Sequence, residues 1–421
     1  MECAMNRRFG LMIIRVSLVL GGGISTAWGQ GYGTDTQNVM MPASGGMAGV
    51  SVAQPQDVPS AVFGNPATLA QFHGTQFTLG GGWVEGYPTV TRFGFDDPNA
   101  NYTTTSGTQG MVVPSIAVTQ DLRSLGVAGT MGIGLAGTSG LGAEYRGKAP
   151  EGSIANNFSS EYLVLGMNMG VGLELTDRLS AGITVTLGTG FEQLGTVQTS
   201  AMVHDYALRG NFGVDYDLTP CSTVSVFYQT ELGFNYPNAF LNPLDGTYSN
   251  LRMDQPETFG FGYANRAFLN GNLLIAADVY YKLWEEADFY EDIFVNQWAF
   301  AVGTQLTRGR LKYRCGYSYN SNPINHNVGS QLNGHPVLQD AIQFLQASST
   351  GVFNQHRLTG GVGCQGFLFP SLDLDLFVGG LFKATDQFGD HTEAAVAVWY
   401  TGMGLTWRYG TPTCRQVECL Q

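Results

Sequence analysis

The chain has 421 residues, of which 13% are charged and 58 are glycine. Its formal net charge of −13 argues against a nucleic-acid partner, because phosphate binding requires a basic face. Abundant glycine and aromatic residues together with few charges argue against disorder, which is typical of the opposite composition.

The first 29 residues have the pattern of a secretory signal peptide. Arg7 and Arg8 are followed by the apolar stretch LMIIRVSLVLGGGI and by small residues before Gln30. The alternative, a membrane-spanning helix, needs about 20 clean apolar residues, and Arg15 interrupts this stretch. We therefore expect residues 1–29 to direct Sec-dependent export.

The segment QDVPSAVFGNPATLAQF, residues 56–72, has neither the alternation of a strand nor the apolar spacing of an independent helix. Pro66 fixes its own φ and lacks a backbone donor, and Asn65 can hydrogen-bond the backbone of a turn. Two interpretations are open at this point: an ordinary turn packed on a sheet, or a compact plug.

From residue 75 onward, apolar residues alternate with small or polar ones over long segments. In YLVLGMNMGVGLEL, residues 162–175, Leu163, Leu165 and Met167 share one face, and Asn168 lies on the other. A period of two over such lengths indicates strands. They run to roughly 10–14 residues, enough to cross a bilayer when tilted, whereas strands of soluble proteins average about 5–6. We predict that the apolar face meets lipid and the polar face lines a lumen.

The connectors alternate between short and long, which is typical of transmembrane barrels with periplasmic turns and outer loops. The fold class is therefore predicted to be all-β: a transmembrane antiparallel β-barrel of about 14 strands over residues 75–410, followed by a periplasmic tail, 411–421. Residues 336–348 have helical spacing, either as a cap helix over the barrel mouth or as a helix packed on its own loop. The predicted strands lie near 76–95, 111–121, 124–138, 160–176, 179–190, 203–217, 222–234, 253–265, 271–286, 296–307, 310–320, 355–367, 372–384 and 393–409.

A barrel of this size encloses an interior that the side chains of its wall cannot fill. An open pore would leak, so a plug is needed inside the lumen. Residues 30–74, which lie between the signal peptide and the first strand, are predicted to be this hatch.

The order of several motifs resembles the FadL family, outer-membrane transporters of long-chain fatty acids and other hydrophobic compounds. A Gly/Ala-rich lead, Asp57 and then Asn65-Pro66-Ala67 precede the first strand, as in the hatch of that family. The later segments that carry the resemblance are DQPETFGFGYANR (254–266), LLIAADVYYKLWEE (273–286) and WAFAVGTQLTRGRLKYRCGYSYNSNPI (298–324).

The resemblance implies diffusion of an apolar molecule from an outer-loop groove into the barrel, movement of the hatch and exit through a kinked strand. The segment FNYPNAFLNPL, 234–244, is the candidate groove, with Phe234, Tyr236, Phe240 and Leu241. In the hatch, Phe63, Leu69 and Phe72 are expected to face the ligand. The full set of hatch residues is Asp57, Phe63, Asn65, Pro66, Ala67, Leu69 and Phe72.

The third predicted strand is rich in glycine, which weakens pairing and marks bulges or bends. Gly132, Gly134, Gly137 and Gly140 are candidates for a lateral opening in the wall. An equally open interpretation is that these glycines make room for the hatch.

A ligand carboxylate would need a cation in a partly dry lumen. The inward-facing candidates are Arg209, Lys282, Lys312 and Arg314. In the alternative, these cations pair with acids of the lumen, since buried charges need partners. The candidate acids are Asp215, Asp278, Asp373 and Asp375.

Enzyme motifs are absent from the sequence: the six histidines have no metal-ligand spacing, and neither a GxSxG elbow nor a P-loop occurs. We expect no catalytic residues, metal or cofactor. The sequence predicts a monomeric outer-membrane transporter in a Gram-negative-type cell, whose partners are a fatty acid-like hydrophobic ligand, the bilayer and detergent-like amphiphiles. Two alternatives are a structural or adhesive barrel with partner-binding loops and a small-solute porin.

Overall fold

The computed structural model describes residues 37–86, 88–196, 201–241, 246–349 and 354–410. The predicted signal peptide, residues 30–36 of the predicted hatch and the predicted tail lie outside these residues. The described strands, numbered in chain order, are β1 (Thr75–Gly86), β2 (Thr89–Arg92), β3 (Tyr102–Thr105), β4 (Met111–Asp121), β5 (Gly129–Glu144), β6 (Ser159–Glu174), β7 (Leu179–Gly195), β8 (Val203–Thr219), β9 (Ser222–Gln229), β10 (Leu232–Leu241), β11 (Tyr248–Gln255), β12 (Thr258–Phe268), β13 (Leu273–Lys282), β14 (Gln297–Arg308), β15 (Leu311–Asn320), β16 (Gln331–Leu332), β17 (His335–Pro336), β18 (His356–Cys364), β19 (Leu372–Phe388) and β20 (Thr392–Tyr409).

Fourteen of the described strands form a closed antiparallel barrel. They are β1, β4 to β9, β12 to β15 and β18 to β20, each paired with its neighbour in that order. The first and last strands also pair, from Thr75 opposite Tyr409 to Gly86 opposite Val398. Each of these strands pairs with a neighbour on both sides, so none of them is an edge strand, as a strand structure in lipid requires. The predicted fold class is confirmed.

The two faces of the wall have the chemistry that the alternation predicts. Met169 and Leu208, on the outer face, are 59% and 68% exposed, whereas Asn168 and Arg209, on the inner face, are buried. Apolar side chains exposed to this degree along whole strands are stable against acyl chains rather than water. The barrel is therefore a transmembrane one.

The connections differ in length at the two ends of the barrel. Residues 175–178, 220–221 and 309–310 form short turns at one end, which we call the turn end. The long connections, such as 145–158 and 321–355, lie at the other end, which we call the loop end. In the connection between β1 and β4, the short strand β2 pairs with β20 and β3 pairs with β2, which extends the sheet.

The prediction of single strands over 222–234 and 253–265 was wrong, because each divides in two. β9 pairs with β12 in the wall, where Gln229 lies opposite Thr258. Beyond this pair the chain leaves the wall, and β10 and β11 pair only with each other as an inner hairpin, residues 232–255. Pro256, next to the break, cannot donate a ladder hydrogen bond. A Cβ on lumen-facing Gly188 would lie 2.7 Å from Leu232, so the hairpin packs inside the barrel.

The helix predicted in the longest loop spans Gln339–Ser349 and packs against wall strands β5, β19 and β20, not only on its own loop. Its Phe344 ring meets Phe158 edge-on at 5.4 Å. Arg92 in β2 donates to both carboxylate oxygens of Asp340, at 2.9 and 2.7 Å. This cap helix and the inner hairpin belong to one buried apolar cluster at the loop end. No helix within the described ranges is long and apolar enough to cross a membrane.

Candidate functional site: the hatch, the side wall and the barrel mouth

The hatch, residues 37–74 as described, is organised around the buried carboxylate of Asp57. One oxygen accepts hydrogen bonds from the backbone N–H groups of Ala43, at 2.7 Å, and Ser44, at 2.9 Å. The other accepts from the N–H of Ser60 at 2.8 Å and so caps the hatch helix, Val58–Phe63. Burial raises the pKa of Asp57, and these hydrogen bonds oppose that rise. One acidic side chain thus joins the lead of the hatch to its helix.

Asn65, which begins the Asn-Pro-Ala motif, ties the hatch to the wall. Its side-chain oxygen accepts from the N–H of Ala67 at 3.0 Å, closing the turn that the sequence predicts. Its side-chain nitrogen donates to the Val52 carbonyl at 2.9 Å and to Asp215 of β8 at 2.7 Å. The second oxygen of Asp215 accepts from the Gln71 amide at 3.1 Å. Asp215 therefore holds the hatch both at Asn65 and at Gln71.

A second wall acid holds the hatch from another strand. Asp278 of β13 accepts from the backbone N–H groups of Ser51 and Val52, at 2.7 and 3.0 Å. On β18, the Thr359 hydroxyl accepts from the N–H of Ala48 at 2.8 Å. The hatch is therefore fixed to three strands that are well separated around the barrel.

The sequence reasoning did not assign this role to Asp215 or Asp278, which it placed among possible partners for lumen cations. The only available signal in the sequence was that the alternating pattern places both acids on the inward face, each within a strand. Their hatch partners lie 144 to 227 residues away in the chain, and no local pattern reports such contacts.

Glycines of the wall let the hatch backbone approach closely. A Cβ on Gly182 would lie 2.4 Å from the Pro66 carbonyl oxygen, and one on Gly316 would lie 2.3 Å from the Met47 carbonyl carbon. A Cβ on Gly213 would lie 1.8 Å from the side-chain oxygen of Asn65. Because real Cβ atoms do not approach so closely, the hatch fills the lumen at these levels without space for a ligand.

The substitution Gly213→Ala is expected to displace Asn65 and to loosen the hatch, because the new methyl group overlaps the Asn65 oxygen. The expected loss of stability is about 1–3 kcal/mol, as for overpacking of a core. The loss is measured by heating the purified barrel before gel electrophoresis and recording the temperature at which the fast-migrating, compact form disappears. Gly210→Ala is the matched control, since a Cβ there would meet the Phe212 ring at 3.2 Å and not the hatch. Equal temperatures for both variants would contradict the expectation.

The apolar hatch residues lie against the glycine-rich strand. Leu69 is fully buried, and Phe63 and Phe72 are partly buried around the same small cluster. A Cβ on Gly132 would lie 2.8 Å from Leu69, and one on Gly134 would lie 2.8 Å from Phe63. For these two glycines the structure favours the interpretation that they make room for the hatch.

The other two glycines border a gap in the pairing of the wall. The ladder between β4 and β5 runs from Asp121 opposite Thr130 to Ser115 opposite Ala136, where it ends. Above it, β5 has a bulge between Gly137 and Ser139 and continues to Glu144 in its ladder with β6. We call residues 137–143 of β5, which lie beyond the end of the β4–β5 ladder, the seam.

Side chains of β4 approach the seam closely. A Cβ on Gly137 would lie 2.8 Å from Val113, and one on Gly140 would lie 3.3 Å from Met111. At its upper boundary, the N–H of Gly107 donates to the Glu144 carbonyl at 2.7 Å. Pro114, beside the last pair, lacks an N–H. Separating the two strands here would break these packing contacts beyond the end of the β4–β5 ladder.

The four predicted ligand cations all lie on or near the inner face. Arg314 is paired: it donates to Asp375 at 2.6 Å and to the Gln305 amide oxygen at 2.7 Å. Its pairing with a lumen acid fits the alternative stated for these cations. Lys312 is two residues away on the same face, and Arg209 and Lys282 are buried on other strands. The structure brings only Lys312 and Arg314 together.

The predicted outer-loop groove is covered. Phe234 and Tyr236 belong to the inner hairpin and are 2% and 0% exposed, with their rings stacked at 5.7 Å. Tyr236 also meets Tyr162 of β6 edge-on at 6.5 Å. Leu241 is half-buried, and the side chain of Phe240 lies outside the described residues. These aromatic side chains therefore line the interior beneath the loops, and their contact with ligand stays a prediction.

No group of three or more His, Cys, Asp or Glu side chains in the described ranges could hold a metal ion. The charged side chains described above instead bind the hatch, a neighbouring strand or the cap helix.

Comparison with known proteins gives a consistent result for the fold. No family model matches the sequence, and no curated protein matches it. Among solved structures, the P. putida toluene transporter TodX covers 88% of this chain and 99% of its own, with a TM-score of 0.66 and 17% identity. A Pseudomonas aeruginosa FadL homologue covers 90% and 100%, with a TM-score of 0.65 and 14% identity.

A third similar structure is the Ralstonia pickettii toluene transporter TbuX, which covers 87% of this chain and 98% of its own, with a TM-score of 0.61 and 16% identity. At such identities the likeness concerns the fold. The chain has the fold of the FadL-like outer-membrane transporters over nearly the whole length of those proteins. The resemblance stated from the sequence is confirmed at that level.

Proposed function

We propose that this protein is a passive outer-membrane transporter for uncharged hydrophobic compounds. The ligand enters beneath the outer loops, the hatch rearranges, and the ligand leaves sideways through the seam between β4 and β5. The observation that carries the proposal is the combination of a lumen closed by a tethered hatch with a β4–β5 ladder that ends at Ala136 in the side wall.

The closed lumen disfavours a small-solute porin. The hatch contacts wall glycines on several strands too closely to leave an aqueous channel. Between the hatch and the inner hairpin, the buried side chains of Thr184, Thr186 and Asn211 make no hydrogen bond within the described residues. A porin would expose such polar side chains of the wall to an aqueous channel, whereas here all three are buried.

The position of the seam suits release into lipid. Val112 of β4, beside the seam, is 65% exposed on the outer face. A hydrophobic molecule that passes this wall reaches acyl chains without crossing water, so it keeps the favourable transfer energy of about 25 cal/mol per Å² of its apolar surface. Exit through the turn end would require passage across the hatch and then into water.

The charges at the mouth favour an uncharged ligand over a fatty-acid anion. Residues 283–296 contain five acids and no lysine or arginine. Burial, with Asp288 and Glu231 nearby, raises the pKa of Asp254 on the inner hairpin to about 6. A carboxylate approaching this surface would be repelled, since like charges are unfavourable at close range. Two of the similar structures are described as toluene transporters, which supports the same ligand class.

Uptake in whole cells tests the proposal. Gram-negative cells without their own hydrophobe transporters would express this chain or a variant with Asn65, Pro66 and Ala67 all replaced by glycine. We expect the native chain to accelerate uptake of labelled toluene more than that of labelled oleate, and the hatch variant to alter the toluene rate. Correctly inserted barrels that accelerate neither compound would overturn the proposal, and preferred uptake of oleate would overturn the assignment of an uncharged ligand.

A further inference from the structure

A compact exposed surface at the turn end combines large apolar side chains with arginines. We call it the turn-end patch: Arg308 at the end of β14, Arg310 in the β14–β15 connection, and Phe367, Leu368 and Phe369 in the β18–β19 connection. The three apolar side chains are 39%, 68% and 61% exposed. Consecutive bulky apolar residues in a turn that faced only water would be unfavourable, so this turn requires an apolar environment.

The turn-end patch surrounds a cleft. Its volume is about 470 Å³, and its lining includes Arg310, Gly366, Phe367, Pro370 and Arg408. The Arg310 Nε donates to the Gln365 carbonyl at 2.7 Å, which holds the guanidinium at the edge of the cleft. Gly366 is held by its N–H, which donates to Asp373 at 2.8 Å.

The charge of the patch is not neutralised. Arg408, on the other side of the cleft, forms an ion pair with Asp373 at 2.8 Å. By contrast, neither Arg308 nor Arg310 has an acidic partner within the part of the chain that the structure describes. In a chain with a net charge of −13, Arg310 lines the cleft beside exposed aromatic rings, and Arg308 lies two residues before it. Together they form a surface suited to an anion with an apolar body.

We propose that the turn-end patch binds the headgroup of an anionic phospholipid from the adjoining membrane leaflet. The guanidinium groups of Arg308 and Arg310 bind the phosphate, and Phe367, Leu368 and Phe369 enter the acyl-chain region. Tyr313 and Tyr409, nearby at the same end, are 42% and 56% exposed, as expected of tyrosines at a membrane interface. The proposed function assigns this leaflet to the periplasmic side, but lipid binding does not depend on uptake.

Native mass spectrometry of the purified full chain tests the proposal. The chain in detergent is titrated with phosphatidylglycerol or with phosphatidylcholine, and bound lipids are counted. We expect retention of phosphatidylglycerol above that of phosphatidylcholine, and a decrease of about fivefold for each arginine removed in Arg308→Gln and Arg310→Gln. Retained heat-modifiable mobility on gels establishes that each variant is folded.

Arg178→Gln is the matched control, because Arg178 is an exposed arginine in another short turn at the same end, without an aromatic cleft. A further titration with glycerol 3-phosphate as competitor distinguishes binding of a lipid from binding of a free phosphate. Equal retention of the two lipids, an equal loss in the Arg178 variant, or full displacement by glycerol 3-phosphate would each overturn the proposal. The lipid-binding measurement needs no transport. A negative result would therefore leave the proposed transport function standing, and a failed uptake experiment would not affect the lipid-binding proposal.

Discussion

Joining Val113 to Gly137 by a disulfide is expected to reduce toluene uptake to the background of cells that lack the protein. The change is Val113→Cys together with Gly137→Cys. A Cβ on Gly137 would lie 3.8 Å from the Val113 Cβ, which is about the mean separation in disulfides. The bond would span the seam where the β4–β5 ladder has already ended, so the two strands could no longer separate.

The measurement is the rate of toluene uptake before and after addition of a reductant. The oxidised double variant should not take up toluene, and reduction should restore most of the native uptake rate. Each single cysteine variant controls for the substitutions themselves. The native chain needs the same reductant treatment, because Cys221 is itself disulfide-bonded.

A locked barrel that transports at the native rate would exclude the seam as the exit. The ligand would then have to leave through the turn end, past the hatch. Loss of transport that reduction does not reverse would point to altered packing around Met111 and Val113, and the single variants would show the same loss.

Removing the carboxylate of Asp215 is expected to release the hatch from β8. In Asp215→Ala, the buried amide of Asn65 and the amide of exposed Gln71 both lose an acceptor. Loss of this acceptor by the buried Asn65 amide costs about 1–3 kcal/mol, so the free energy of opening the hatch should fall by about this amount. Amide hydrogen exchange over residues 51–71 should accelerate at least about tenfold, because exchange reports local opening.

Asp217→Ala is the control for this change. Asp217 lies two residues further along β8 on the same face, and its carboxylate accepts from the Thr223 hydroxyl at 2.6 Å rather than from the hatch. In planar bilayers, the Asp215 variant should also gain ion conductance that the Asp217 variant lacks. Identical exchange and conductance in the two variants would show that Asp215 does not hold the hatch closed.

Much of the wall was predictable from the sequence because a strand has an invariant period of two. Alternation alone assigned Met167 to lipid and Asn168 to the lumen, and the structure places both as predicted. The same rule failed at Thr230 and Pro256, where alternation continues through the points at which the chain leaves the wall. Period two describes the faces of an extended chain, and it does not report which partner that chain pairs with.

The sequence by itself therefore determined the class of fold, the inner and outer faces of the wall and the turn at Asn65-Pro66-Ala67, since each depends on residues close together in the chain. Only the tertiary structure decided that Asp215 and Asp278 hold the hatch, that the inner hairpin fills the mouth, and that the ladder ends at Ala136. These features join residues far apart in the sequence. Their energies come from packing and hydrogen bonds that exist once the barrel has closed around the hatch.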